Sequence, residues 1–194
     1  LTRGVQLCSL HLDSTLGGPT DPPAVGTDCR SRPLGSIVVT ITLRALNDGD
    51  LGDLFRWESD PAAASMAAFT RPDPTDRAAF DAHYQHVRSN PENTTRAIDE
   101  DGALVGMIAS FTMAGDREVT YWVDPSRWGR GIASEALRLC ILGEPRKPLY
   151  ARAAEHNIGS RRVLERNGFV KIGEETSWAD GPAADVVEHV YRLD

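Results

Sequence analysis

Residues 128–134 read Trp-Gly-Arg-Gly-Ile-Ala-Ser, with Gly129 and Gly131 one residue apart ahead of an apolar run. A helix starting at such a loop aims its first backbone N–H groups outward, at the positive end of its dipole. Phosphate oxygens bind at such a place, and the two glycines let them approach with no Cβ in the way. Arg127 and Arg130 add charge at the rim. The alternative is that the glycines only make a tight turn. The Lys-Ser/Thr of a P-loop and the GxGxxG spacing of a dinucleotide site are both missing, which sets ATP and NAD well behind. A second polar group lies at Asn157 and Ser160, where the asparagine side chain can cap a helix by accepting from the Ser160 backbone N–H.

Such a loop needs a strand before it and a helix after it. Residues 118–123 supply the strand, ended by Pro125. A helix from Ile132 to about Leu142 follows, with so little polar surface that burial on two sides is expected. Gly143, Pro145 and Pro148 stop it, and 149–154 forms the next strand, so these two strands are expected to be parallel with a right-handed crossover. Asn157 opens a further helix that Asn167-Gly168 ends.

Upstream, the alternation of Ile37, Val39, Ile41 and Leu43 predicts a first strand. Asn47 or Asp48 caps a helix carrying Leu51, Leu54 and Phe55, and Asp73-Pro74 opens another with Phe80, Tyr84 and Val87 at helical spacing. A hairpin over 94–99 and 103–113 and a closing antiparallel pair, 169–177 with 186–192, complete the elements. Residues 1–35, broken by Gly17-Gly18-Pro19, Pro22-Pro23 and Pro33, read as a flexible tail, and 36–194 as one folded domain.

The 194 residues carry 21 basic and 28 acidic side chains, a net charge of −7, so nucleic acid would need a local basic patch that the sequence does not display. No apolar run is long enough to span a membrane. Cys8, Cys29 and Cys140 form no CxxC pair, which argues against a disulfide framework or a zinc site and makes a reducing cytoplasm the default. Neither a signal layout nor a cleavage site stands in the first residues, so export is not expected. Except for Lys147 and Lys171 the basic residues are all arginine, as in a GC-rich bacterial genome.

Three ordered segments then carry a resemblance. Tyr121-Trp122-Val123-Asp124-Pro125, the run from Trp128 to Leu137, and the run from Asn157 to Phe169 together resemble the GNAT acetyltransferase superfamily. More narrowly they look like its ribosomal-protein N-terminal acetyltransferase (RimJ/RimL-like) branch. The likeness covers roughly Ile37 to Leu193. It implies an α/β (α+β) fold with a mixed, mostly antiparallel sheet of about seven strands, a central parallel splayed pair and flanking helices. Acetyl-CoA is the implied cosubstrate and an amine the acceptor; no metal is implied, and a homodimer is allowed for.

In the family pattern Q/R-x-x-G-x-G/A, the six positions are Trp128, Gly129, Arg130, Gly131, Ile132 and Ala133, with Trp128 departing from the general first residue but suiting the branch. The resemblance implies that N–H groups from Gly129 to Ser134 hold the pyrophosphate. It further implies that the Val123 backbone and the Asn157 side chain meet the pantetheine arm. Ser160 corresponds to a serine that in some relatives protonates the departing thiolate; its bland reading is a polar residue helping the cap. Glu118 shares a strand face with Thr120 and Trp122 and is a candidate general base, or else a structural carboxylate. Glu174 and Glu175 offer a base without a clear match, and His83 and His86 lie on the helix that walls the acceptor site in this fold. An α-amine is on the order of 10% neutral at pH 7 and a lysine amine under about 0.1%, so a site without a strong base favours weakly basic amines. A CoA-binding module without turnover and an aminoglycoside-type acetyltransferase are the competing readings.

Overall fold

The computed structural model describes residues 40–194. The expected tail, and positions 37–39 of the expected first strand, lie outside the described residues. Twelve elements follow in order: β1 (Ile41–Ala45), α1 (Leu51–Glu58), α2 (Pro61–Ala67), α3 (Arg77–Ser89), β2 (Thr94–Glu100), β3 (Ala103–Met113), β4 (Asp116–Val123), α4 (Ile132–Gly143), β5 (Leu149–Ala154), α5 (Ile158–Arg166), β6 (Val170–Ala179) and β7 (Ala184–Leu193). They build a seven-stranded sheet ordered β1-β2-β3-β4-β5-β7-β6, in which β4 and β5 are parallel and every other neighbouring pair antiparallel.

Alternation along β4 assigns the two sides of the sheet. Val119, Tyr121 and Val123 point into a core with Ile132, Ala136 and Leu137 of α4 and Val163 and Leu164 of α5. Trp122 points the other way, into a second core with Leu54 and Trp57 of α1, Ala63 and Ala67 of α2, and Phe80 and Tyr84 of α3. The α4 helix is covered on the sheet side and flanked by α5. These are the two sides on which burial was expected, and the remaining surface carries the Glu135–Arg138 ion pair and an exposed Leu142.

Local chemistry starts each helix. Asn47 accepts from Gly49 N–H while Asp50 accepts from Asn47 N–H, a reciprocal cap on the turn that leads into α1. Arg44, at the end of β1, grips the same Asp50 at 2.7 and 2.8 Å and Asp99 of β2 at 2.8 Å, fixing strand, turn and neighbour together. Asp60 caps the Ala-rich α2, with Pro61 at its first position. The third helix opens at Arg77, because Asp73 turns back on Thr75 N–H and Asp76 is the residue that caps. A buried triad ties this layer together: Glu58 of α1 accepts from Tyr84 of α3 at 2.5 Å and from Arg71 at 2.6 Å.

Candidate active site

At the end of β4, Asp124 caps a short turn by accepting from Ser126 N–H, and Trp128 folds back so that its indole N–H donates to the Val123 carbonyl at 2.9 Å. Gly129 (φ 75°) and Gly131 (φ 81°) then take left-handed backbone. Gly131 stands at the N-cap of α4 and no side chain caps that helix. The side chains of Ile132 and Ala133 are buried in the core, so these residues present only backbone to the loop. A cleft of about 180 Å³ opens here, with Arg127 and Arg130 on one side and Arg162 and Arg166 of α5 on the other. The first two are held in place by one carboxylate: Glu100, at the end of β2, pairs with Arg127 and, at 2.9 Å, with Arg130. Ser134 accepts from Asn167 across α4 and α5 at 3.2 Å.

From this cleft a fork runs into the sheet. β4 and β5 pair only at Arg117–Leu149 and Glu118–Tyr150, then diverge. Glu118 is 2% exposed and sits at the crotch of the fork, where it accepts from Arg152 Nε of β5 at 3.4 Å. Arg152 also donates to Glu175 of β6 at 2.9 Å and to Glu188 of β7 at 3.5 Å, so one guanidinium balances three carboxylates. Burial, aided by Glu118 and Glu175 and opposed by Arg152, pushes the Glu188 carboxyl up to about 7.

On the opposite side of β4, the Ser160 hydroxyl lies 2.8 Å from the Tyr121 hydroxyl, both groups fully buried. The Ser160 backbone N–H donates to Asn157 Oδ1 at 3.0 Å, the cap expected from the sequence, and Asn157 Nδ2 donates to the Met66 carbonyl of α2 at 3.2 Å.

The acetyltransferase (GNAT) domain family matches residues 40–170, which run from the start of β1 through the loop and the fork to the first residue of β6. The chain belongs to the GNAT acetyltransferase family. That family takes its acyl group from acetyl-CoA. Solved structures agree in fold. A spermidine N-acetyltransferase from Vibrio cholerae, in complex with CoA and spermine, superposes with a TM-score of 0.64 at 19% identity, covering 78% of this chain and 95% of its own. A RimL ribosomal L7/L12 alpha-N-protein acetyltransferase in complex with CoA gives 0.63 at 19% identity over 78% and 93%. An N-acetyltransferase from Staphylococcus aureus gives 0.64 at 19% over 80% and 98%. No curated protein matches the sequence.

This GNAT domain gathers the residues expected from the sequence into two groups. Gly129, Arg130, Gly131, Ile132, Ala133 and Ser134 line the cleft with Val123, whereas Trp128 does not line it and instead packs back, its indole N–H occupying the Val123 carbonyl. Glu118 and Ser160 lie on opposite faces of β4. The two glutamates that had no match part company: Glu175 joins Arg152, whereas Glu174 faces Lys171 and His189. Arg152, Glu188 and Glu100 were missed, and Tyr121 was read only as part of a family segment, without its contact to Ser160. Each contact is made between distant strands or across a helix, and no local spacing marks it. Among the described residues no helix is long and apolar enough to cross a membrane, and no group of three His, Cys, Asp or Glu side chains is arranged to hold a metal ion.

Proposed function

We propose that this acetyltransferase moves the acetyl group of acetyl-CoA onto a primary amine. The observation that carries the reading is the fork: an uncapped helix N-terminus ringed by arginines at its mouth, and a buried carboxylate where the strands rejoin. The mouth fits a polyphosphate. A Cβ built on Gly129 or Gly131 meets nothing within 4 Å, so the glycines are there for backbone conformation and for what approaches from outside.

Bound acetyl-CoA supplies an activated acyl group and a thiol leaving group. The backbone from Gly129 to Ser134 and the guanidinium groups of Arg127, Arg130, Arg162 and Arg166 hold its phosphates. The Val123 backbone and Asn157 border the path of the pantetheine arm. Glu118 receives the proton of the incoming amine on one face of β4, with Glu188 in the same carboxylate set. From the opposite face, the Ser160 hydroxyl, which shares a hydrogen bond with the Tyr121 hydroxyl, hands its proton toward the departing sulfur; it is reprotonated from solvent when the products leave, as Glu118 releases the amine's proton to solvent. Trp128 at the head of the loop favours the ribosomal-protein N-terminal branch. Residues 1–35 serve neither binding nor turnover in this reading. A cytoplasmic location follows from the cysteine pattern.

The test is thiol release from acetyl-CoA across peptides, polyamines and aminoglycosides. Turnover with at least one amine is expected. Tight CoA binding with no thiol release on any of them would make the protein a binding module instead.

A further inference from the structure

The register of β3 on β4 sets Phe111 directly opposite Glu118, Ala109 opposite Thr120 and Met107 opposite Trp122. Residues directly opposite share a face. Beside the carboxylate, on the side away from Arg152, the surface is therefore apolar. It is also concave: a cavity of about 290 Å³ lies there, one strand pair from Glu118, floored by Met107, Ala109, Phe111 and Met113, walled by Tyr84 and Val87 of α3, and edged by the neutral polar groups of Asn90, Asn93, Thr112 and Thr120. No Asp, Glu, Lys or Arg lines it. His83 and His86 are its titratable groups, and burial, helped by Arg71 and His86, lowers the pKa of His83 and favours its neutral form.

We infer that this cavity receives the body of the acceptor, and that the acceptor is a primary amine bearing a neutral apolar group about the size of one aromatic ring. The inference rests on the reading of Glu118 as the point of reaction and goes beyond it by naming the substrate class. Size supports it: an apolar cavity of about 150 Å³ holds a benzene ring, so the space here takes a ring and its linker. Charge supports it more strongly. A second ammonium carried past Glu118 would end beside Met107, Phe111 and Met113, where the polar groups at the edge, Asn90, Asn93 and Thr112, are all neutral and no carboxylate balances its charge, and an acidic acceptor would find no cation. Polyamines and aminoglycosides are thereby disfavoured, while an α-amine with an apolar first side chain fits.

Two matched series test this by thiol release. One runs from propylamine to hexylamine and adds 1,6-diaminohexane; the other is a set of tripeptides differing only in the first residue: Ala, Leu, Phe, Lys or Glu. kcat/KM is expected to rise about three- to fourfold per methylene. The diamine should fall at least tenfold below hexylamine, and Phe and Leu peptides should exceed Lys and Glu peptides by a similar factor. Met113→Glu, at the cavity edge, should narrow or reverse the preference for hexylamine over the diamine. A flat series, or a diamine or Lys peptide that equals its apolar counterpart, overturns the inference while leaving amine acetylation standing. Absence of turnover on every amine, with CoA bound, overturns both.

Discussion

Ser160 is held twice, and the two contacts separate its roles. Its backbone N–H satisfies the Asn157 cap, and its hydroxyl meets Tyr121. Ser160→Ala keeps the first and loses the second, so acetyl-CoA affinity should stay put while kcat falls. A thiolate with pKa near 8.5 can leave unprotonated, which limits the drop to about the lower part of the 10²- to 10⁴-fold range and makes it shrink as pH rises past the thiol. A kcat–pH profile of the variant decides this; equal loss of affinity would make Ser160 a binding residue. Gly131 is the complementary case. A side chain there clashes with nothing, yet φ of 81° is left-handed. Gly131→Val should therefore strain the loop by about 1 to 3 kcal/mol and crowd the phosphate, raising the acetyl-CoA dissociation constant tenfold or more by calorimetry. An unchanged constant in a folded variant would remove the phosphate from this loop.

At the scale of elements, Asn157 joins α5 to α2, accepting from Ser160 N–H and donating to the Met66 carbonyl. Asn157→Ala should cost roughly 1 to 2 kcal/mol in urea unfolding, and Asn157→Asp, which keeps the acceptor for Ser160 but sets a buried carboxylate against the Met66 carbonyl, should recover little of it. A cap of this kind is readable from sequence because its partners lie three residues apart, and the same holds for the turn before α1, the β2–β3 hairpin and the glycine stop after α5. What reading along the chain loses is instructive. The α2 helix went unread, because seven residues of mostly alanine carry almost no helical period. Asp73-Pro74 looked like a helix start and is a turn, because Asp76 competes three residues on and wins. The parallel β4–β5 pair was expected from the pattern along the chain, and its splaying only from the family resemblance. That the pair parts after two residues depends on the β5–β7 pairing and on the packing of α4 and α5, which no local pattern encodes. The carboxylates that flank Arg152 belong to the same class. Glu175 and Glu188 meet only because β6 and β7 pair in that register.

For the whole molecule, two buried glutamates tilt stability in opposite directions with pH. Glu144, after α4, resists burial through hydrogen bonds from Ser110 and Arg117 that hold it at about 2, below its ordinary 4.5. Its contribution is complete above 4.5 and is lost as pH falls toward 2, a swing on the order of 3 kcal/mol. Glu188 is raised from 4.5 to about 7, so the folded chain keeps a proton there that the unfolded chain has released. Between those values the folded state binds more protons than the unfolded one, and stability declines as pH rises, by a similar amount, levelling off above 7. These two groups together place the best stability in mild acid, near the lower end of that window. Glu188→Gln should accordingly flatten the unfolding free energy between pH 5 and 7.5, while Glu144→Gln should destabilise at neutral pH and weaken the acid loss. Urea titrations across pH read both: the wild-type free energy minus that of Glu188→Gln should fall between pH 5 and 7.5, a comparison in which His83 and His189, both lowered by burial, act on the two chains alike, and a level difference would contradict the Glu188 assignment. The decline covers the interval in which Glu188 ionises. The carboxylate set around Arg152 thus becomes most anionic, and best able to take a proton from an amine, over the range in which it holds the fold least firmly.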